Sequence, residues 1–348
     1  MNPSAAVINA RFAAQTLTGV QRYAWEVMNR LKAETNVSPQ RPHEILADRT
    51  GLDLIWEQTV LPYKARRARV LWSPTGSGPL FCPLPHVVTL HDGAVLSHPK
   101  WFSPSYARWR RFFIPQLVRS ADLIITVSEF AKSHLSEHLE IDAERIVPIY
   151  NGCDAERFGK IDPAEVKRVR QKYDLPSRFV FGLASLEPRK NFPRFLRAWE
   201  QIENEFEDVG LVIGGGKGKH FRNTESTSKS DRVSFLGYVP EDDLPALYAA
   251  ATVFVYPSIF EGFGLPVLEA MAARTPVITS DAASLPEVAG DAALLVDPYA
   301  SREIAEAIMT VLGDRSVRLE MVEKGVTRAG RFSWDKTARK TLDVLNRV

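Results

Sequence analysis

VFVYPSIFEGFGLPVLEAMAAR, residues 253 to 274, opens on an apolar run and closes on helix formers. Val253 to Tyr256 predict a buried strand. A loop with Gly262 and Gly264 follows. Pro266 suits the first turn of a helix, where its missing N–H is not needed, and Leu265 to Ala273 continue that helix. Strand, glycine loop and helix N-terminus together make an anion site: the glycines let backbone approach a ligand, and unspent N–H groups face negative charge. Glu261 and Glu269 flank it. Eight residues along a regular helix would set two side chains roughly 80° apart. With glycines and a proline between them, the two carboxylates are expected to touch different parts of one extended ligand, its phosphates between them.

The remaining chain sets the frame. Its 348 residues suggest two domains. Hydrophobic residues at 45% and charged at 25% suit a soluble globular protein, and a net charge of +2 argues against a dedicated nucleic-acid binder. Cys82 and Cys153 lie far apart with no C-x-x-C, so neither a disulfide framework nor a zinc site follows, and a reducing cytosol fits. MNPSAAVINARFAAQT lacks a basic start followed by an apolar core, so no signal peptide is expected, and no apolar run approaches a membrane span. A cytoplasmic protein is expected, with a membrane surface open to it.

In the first half, strands are predicted at 5–9, 70–72, 87–90, 122–127 and 145–149, separated by helical patterns that imply a parallel sheet. Thr18 is a candidate N-cap for a helix from Gly19 to about Leu31, with Tyr23, Val27 and Leu31 at helical spacing; Ser128 is another N-cap. His91 and Asp92 fall just past a buried strand, where open α/β sheets bind ligands. Asp92 reads equally as acceptor contact or cap. Two segments mix basic residues with aromatics: 61–72, with Lys64, Arg66, Arg67 and Arg69, and 101–119, with Trp101, Phe102, Trp109, Phe112 and Phe113 among four arginines. They suit an anionic membrane or a lipid pyrophosphate, or equally a packed helix with a solvated outer face.

Asn151-Gly152-Cys153-Asp154 is a turn-rich break. After it, FVFGLAS leads into LEPRKNF (186–192), placing Arg189 and Lys190 at a strand-to-helix turn. There they can neutralise a departing diphosphate without a metal. LVIGGGKG (211–218) fails both P-loop and G-x-G-x-x-G spacing, and the polar tract to Ser230 reads as a loop. Asp242 and Asp243 hint at a metal-binding pair, but acid at a helix N-terminus explains them more simply.

FEGFGLPVLEAMA resembles the E-x7-E signature of the family 4 retaining glycosyltransferases, with Glu261 and Glu269 as its two glutamates. TLTGVQRYAWEV, HVVTLHDGAV, N-G-x-D and EPRKN resemble further features of that family along nearly the whole chain. The resemblance implies the α/β GT-B fold, two Rossmann-like domains with parallel sheets facing across a cleft. The N-terminal, acceptor-side domain is expected over 1–157 plus a C-terminal helix at 333–348 crossing back. The nucleotide-sugar domain is expected over 158–332.

By the same resemblance, His91, Arg189, Lys190 and Glu261 are the catalytic set, and Glu261 orients the donor sugar. Gly19, Tyr238, Val239, Gly262, Phe263, Gly264, Leu265 and Glu269 bind the donor, Glu269 through the ribose and Tyr238–Val239 near the base. Arg22 is a weaker candidate. Many members carry an arginine shortly after the first strand of the second domain. The corresponding position here is Ala184 or Ser185, which leaves the division of labour between Arg189 and Lys190 open. No cofactor or metal is expected. The implied donor is GDP-mannose, ahead of dTDP-rhamnose and UDP-glucose. The implied acceptor is a lipid-linked oligosaccharide of bacterial O-antigen or exopolysaccharide synthesis. An epimerase of the same fold and a non-catalytic sugar-nucleotide binder are the alternatives.

Overall fold

The computed structural model describes residues 6–15, 18–43, 51–183, 185, 187–216 and 230–348. The first sheet contains β1 (Ala6–Asn9), β2 (Val37–Gln40), β3 (Val70–Ser73), β4 (His86–Thr89), β5 (Leu123–Thr126) and β6 (Ile146–Pro148), in the order β2-β1-β3-β4-β5-β6. The second contains β7 (Arg178–Leu183), β8 (Val209–Gly214), β9 (Val233–Gly237), β10 (Val253–Tyr256), β11 (Val277–Ser280) and β12 (Leu294–Val296), in the order β12-β11-β10-β7-β8-β9. Every pairing is parallel. Central strands such as VFVY are buried on both faces, which is why they read as unbroken apolar runs.

Both sheets are doubly wound. Strand order reverses between β1 and β3 in the first and between β7 and β10 in the second. Ligands of such sheets bind outside the carboxyl ends of the strands at these reversals. β2, with sequence VSPQ, is not anticipated by the sequence reading. It lies at the sheet's edge, where a proline costs no ladder bond, and it carries no apolar pattern. Ala5 and residues 217–229, where a loop is expected, lie outside the described residues.

The chain divides into two compact units: residues 1–99, 104–152 and 333–348, and residues 100–103 and 153–332. The long segment of the second unit therefore begins at Cys153, ahead of the expected 158, and residues 100–103 belong to that unit as well. The short helix Ala155–Gly159 packs with the second unit: its Phe158 is buried and stacks obliquely on Tyr248, with ring centroids 6.0 Å apart. Gly152 is required where it stands. A Cβ there would lie 2.1 Å from the backbone nitrogen of Trp334, which opens the last helix, Trp334–Leu345. Ser333 caps that helix, accepting from the Asp335 N–H, and the helix lies along Gly19–Glu34 within the first unit.

Candidate active site

β7 and β10 are neighbours, so the loops leaving their carboxyl ends meet at the second sheet's reversal. The loop after β7 carries Glu187 and the single turn Pro188–Lys190. The loop after β10 carries Glu261 and the glycines and ends in the helix Leu265–Ala272. Glu261 joins the two loops. Its Oε1 accepts from Lys190 Nζ at 2.6 Å and from the Tyr256 hydroxyl at 3.0 Å; its Oε2 accepts from Arg189 at 2.9 Å. Arg189 also donates to Glu187 at 2.7 Å, and Lys190 to the Tyr256 oxygen at 2.6 Å. Lys190 and Glu261 are buried, 8% and 6% exposed.

The electrostatics follow from this packing. Burial alone would raise the Glu261 carboxyl, but the charges of Arg189 and Lys190 bring it down to about 2. Burial and the adjacent Arg189 charge lower Lys190 from its ordinary value, against the pull of Glu261. By sequence and family resemblance, Arg189 and Lys190 are expected on phosphate and Glu261 on sugar. The structure brings all three into one ion-paired cluster. Glu261 is the counter-charge that lets two cations stand side by side out of water.

Asn191, absent from the sequence reading, fixes the cluster's backbone. It adopts a left-handed φ of 63°, which asparagine tolerates better than most residues. Its side-chain N–H groups donate to the carbonyls of Pro257 at 3.0 Å and Pro298 at 2.6 Å, tying together the loops after β7, β10 and β12. Ser284 is a second such residue. Its buried hydroxyl reaches the carbonyls of Glu261 at 3.0 Å and Phe263 at 2.8 Å. Signals existed for both in hindsight: an asparagine directly after R-K, and a serine before the short helix Leu285–Ala289.

Gly264 holds the N-cap of Leu265–Ala272 at φ 109°, and a Cβ there would meet Leu285 at 2.7 Å. Only glycine fits both the conformation and the space. The first N–H groups of the helix have no acceptor within it. Phe263 is buried and packs edge-on against Phe332, while Gly262 sits in the same buried loop. Glu269, 5% exposed, accepts from the Tyr248 hydroxyl at 3.2 Å. Tyr238 and Val239 follow β9, two strands from β7: Tyr238 is exposed and Val239 packs under Gly214.

Gly19 and His91 belong to the first unit, each following a strand of its sheet. Gly19 is exposed at the start of its helix. Thr18 occupies the N-cap, but its hydroxyl donates to the Gln21 side chain rather than capping backbone. His91 Nε2 lies 2.9 Å from the Pro74 carbonyl. A carbonyl can only accept, so Nε2 carries the proton and Nδ1 of the neutral ring is an acceptor. Burial lowers the His91 pKa and favours that neutral ring, which stands edge-on to Tyr23 at 4.8 Å. Asp92 makes a local turn contact, accepting from the Ala94 N–H at 3.0 Å, while Gly93 holds the N-cap of the short helix Ala94–Ser97.

Two expectations change in kind. Asp243 does not cap its helix. Its carboxylate accepts from Arg168 at 2.7 Å, Lys172 at 2.6 Å and Tyr173 at 2.6 Å, anchoring the helix Pro163–Lys172, and Asp242 points to solvent. Burial raises the Asp243 pKa, but these three partners bring it to about 2. Ala184 and Leu186 lie outside the described residues. Ser185 is described, and its hydroxyl donates to Glu187. The aromatics of 101–119 divide: Phe102 and Phe113 are core, while Trp109 and Phe112 are exposed among Arg108 and Arg111.

Residues 17–157 match the family described as Glycosyltransferase Family 4, and residues 165–328 match Glycosyl transferases group 1. O-antigen chain mannosyltransferase B of Escherichia coli is 36% identical over 277 residues, covering 76% of this chain and 72% of that protein. In fold, the chain is similar to sucrose-phosphate synthase from Thermosynechococcus elongatus, with TM-score 0.77, 19% identity and 98% of each chain covered. It is also similar to HepE from Anabaena in complex with UDP and glucose, with TM-score 0.75, 20% identity, and 99% of this chain and 100% of that chain covered. Two doubly wound parallel sheets, these sequence matches and the shared fold together establish that the chain is a GT-B glycosyltransferase of family 4.

Proposed function

We propose that this glycosyltransferase moves a mannosyl group from GDP-mannose to a lipid-linked oligosaccharide during bacterial surface-polysaccharide synthesis, with retention at the anomeric carbon. The observation that carries the reading is the pair of adjacent cations, buried Lys190 and half-buried Arg189, locked to Glu261 at the β7–β10 reversal. The mannosyl assignment draws on the Escherichia coli O-antigen chain mannosyltransferase that the chain resembles.

In this reading the donor's diphosphate lies against Arg189, Lys190 and the N–H groups of Phe263 to Leu265, with Gly262 and Gly264 permitting close approach. As the bond to the sugar breaks, negative charge gathers on the phosphates, and preorganised donors in a water-poor site stabilise it strongly. Glu261 holds the two cations in register and presents an oxygen edge to a sugar hydroxyl. Glu269 accepts from the ribose, and Tyr238 and Val239 border the base. Gly19 opens a helix whose N-terminus suits phosphate. His91, neutral with Nδ1 unprotonated, accepts from a sugar hydroxyl. The acceptor hydroxyl attacks from the leaving-group face, and a phosphate oxygen takes its proton. No metal is needed for these steps, since two cations and a helix terminus supply the positive charge.

Contact with an anionic membrane surface is part of the proposal, as is a cytoplasmic location. Among the described residues no helix is long and apolar enough to cross a membrane. Tyr63, with Arg66 over its ring at 3.7 Å, and Phe112 are exposed beside basic residues, as a headgroup-level contact requires.

A thermal-shift panel of GDP-mannose, dTDP-rhamnose and UDP-glucose tests the donor, because a ligand of the folded state raises stability by mass action. Stabilisation by UDP-glucose with none by GDP-mannose overturns the donor assignment. Proton NMR of the product reports the anomer. Sugar conversion without an acceptor would mark an epimerase, and binding without turnover a sensor.

A further inference from the structure

The first sheet has its own reversal, between β1 and β3, and a second polar cluster lies there. Asn9 ends β1 and donates to Glu57 at 2.7 Å; Glu57, on the helix Leu52–Ala65, is fully buried. Arg11, two residues on, donates from Nε to Asp53 at 2.7 Å. Its Nη1 donates to Glu57 at 3.2 Å and to Ser77 at 3.0 Å. Ser77 lies in the loop after β3. Arg11 has thus spent Nε and both N–H groups of Nη1. Among the described residues nothing accepts from Nη2, and 15% of the side chain remains exposed. Nη2 therefore keeps two N–H donors in the plane that the other bonds fix.

The same loop also carries the contacts of His91. Pro74 accepts from His91, Gly76 accepts from Arg110 at 2.6 Å, and Gly78 accepts from Gln58 at 2.9 Å. Four side chains from four parts of the unit therefore hold residues 74–78. Pro74 and Ser77 are three Cα steps apart, at most about 11 Å. Arg11 and His91 are anchored at these two points, a separation that a short saccharide bridges.

Charge decides what kind of ligand fits. Arg11 faces two carboxylates, Asp53 and Glu57, and adding Arg110 brings the loop's charged neighbours only to zero. There is no excess positive charge for a phosphate or pyrophosphate, in contrast to an anion site. A neutral polyol suits donors and carboxylate edges held this way.

We infer that Arg11 is a specificity-determining residue that reads a hydroxyl pair on the acceptor saccharide through Nη2, with Asp53, Glu57 and Ser77 fixing its plane. This rests on the glycosyltransferase reading with GDP-mannose as donor. The test compares wild type with Arg11→Lys and Arg11→Gln, using short α-mannosides as acceptor probes. Melting temperature verifies that each variant is folded. Lysine keeps the charge but not the fork. Both variants should raise acceptor KM tenfold or more, leave donor KM within twofold, and leave acceptor-free hydrolysis of GDP-mannose unchanged. In saturation-transfer NMR, methyl α-mannoside should lose its signal in the variants, and inorganic phosphate should not compete for the site in wild type. An unchanged acceptor KM in a folded Arg11→Lys variant, or competition by phosphate, overturns the inference. Absence of any GDP-mannose turnover in wild type would instead overturn the donor reading beneath it.

Discussion

Lys190 Nζ stands 2.6 Å from Glu261 Oε1, with both side chains withdrawn from water. A buried ammonium this close to a carboxylate is neither a surface pair nor a spare charge. Removing Glu261 leaves Lys190 uncompensated, and removing Lys190 leaves Glu261 paired with Arg189 alone; both consequences can be measured.

Lys190→Ala should lower kcat by 10²–10³, the cost of one lost contact to developing charge, roughly 2.7–4 kcal/mol. Because burial and Arg189 lower the Lys190 pKa, its ammonium loses its proton at lower pH than an ordinary lysine as pH rises. The kcat–pH profile should therefore fall on its basic limb below pH 10.5. Lys190→Arg, whose guanidinium stays charged, should move that limb upward. A basic limb identical in wild type and Lys190→Arg would remove Lys190 from the proton account.

Glu261 has its folded pKa depressed from 4.5 to about 2. A depressed carboxyl adds stability that is complete above the unfolded value and lost as pH falls through the folded one. Melting temperature should thus decline between pH 4.5 and 2. Glu261→Gln should melt lower than wild type at neutral pH, by an amount on the order of 3 kcal/mol for an uncompensated buried charge, and show a flatter acid slope. Equal acid slopes in the two proteins would contradict the ion-paired cluster.

Glu269→Ala should weaken GDP binding by about tenfold or more, since a hydrogen bond to a charged group is worth roughly 1.5–3 kcal/mol. Tyr248→Phe removes one donor to the same carboxylate and should have the smaller effect. Isothermal titration with GDP distinguishes them, and an unaltered affinity in Glu269→Ala would sink the ribose assignment.

Asn191→Ala should cost about 3 kcal/mol of stability, because two buried carbonyls lose their donor at roughly 1–3 kcal/mol each. Asn191→Gly accommodates the left-handed backbone but not the bonds, so it should recover little. Full recovery with glycine would mean that backbone strain, not the loop tie, is the reason for asparagine.

Transfer from GDP-mannose should survive exhaustive treatment with EDTA. Loss of turnover that magnesium restores would show that the cations on the chain do not suffice.

The alternation of strands and helices was legible because fully buried parallel strands are written as local apolar runs, as in VFVY and LIIT. The glycine loop was legible because left-handed backbone at a helix start leaves a glycine behind, as at Gly264. Ser128 was legible as a cap, and its side chain accepts from the Ala131 N–H. β2 was not, since an edge strand needs no apolar alternation.

The sequence by itself determined the kind of site: an anion-binding turn with two carboxylates and two adjacent cations, on an α/β frame. Those are properties of short windows, in which propensity, glycine placement and charge act locally. Tertiary structure alone decided that Glu261 is bonded to both Arg189 and Lys190, some seventy residues away in the chain. It also decided that Asn191 ties three loops, and that Arg11 and His91 hold one loop. These depend on which strands become neighbours. β7 pairs with β10 although two strands intervene in sequence, because the sheet reverses direction there. Burial then turns that adjacency into energy: once the two loops meet out of water, the cations and Glu261 must pair, and the opening stretch becomes a charge-balanced site.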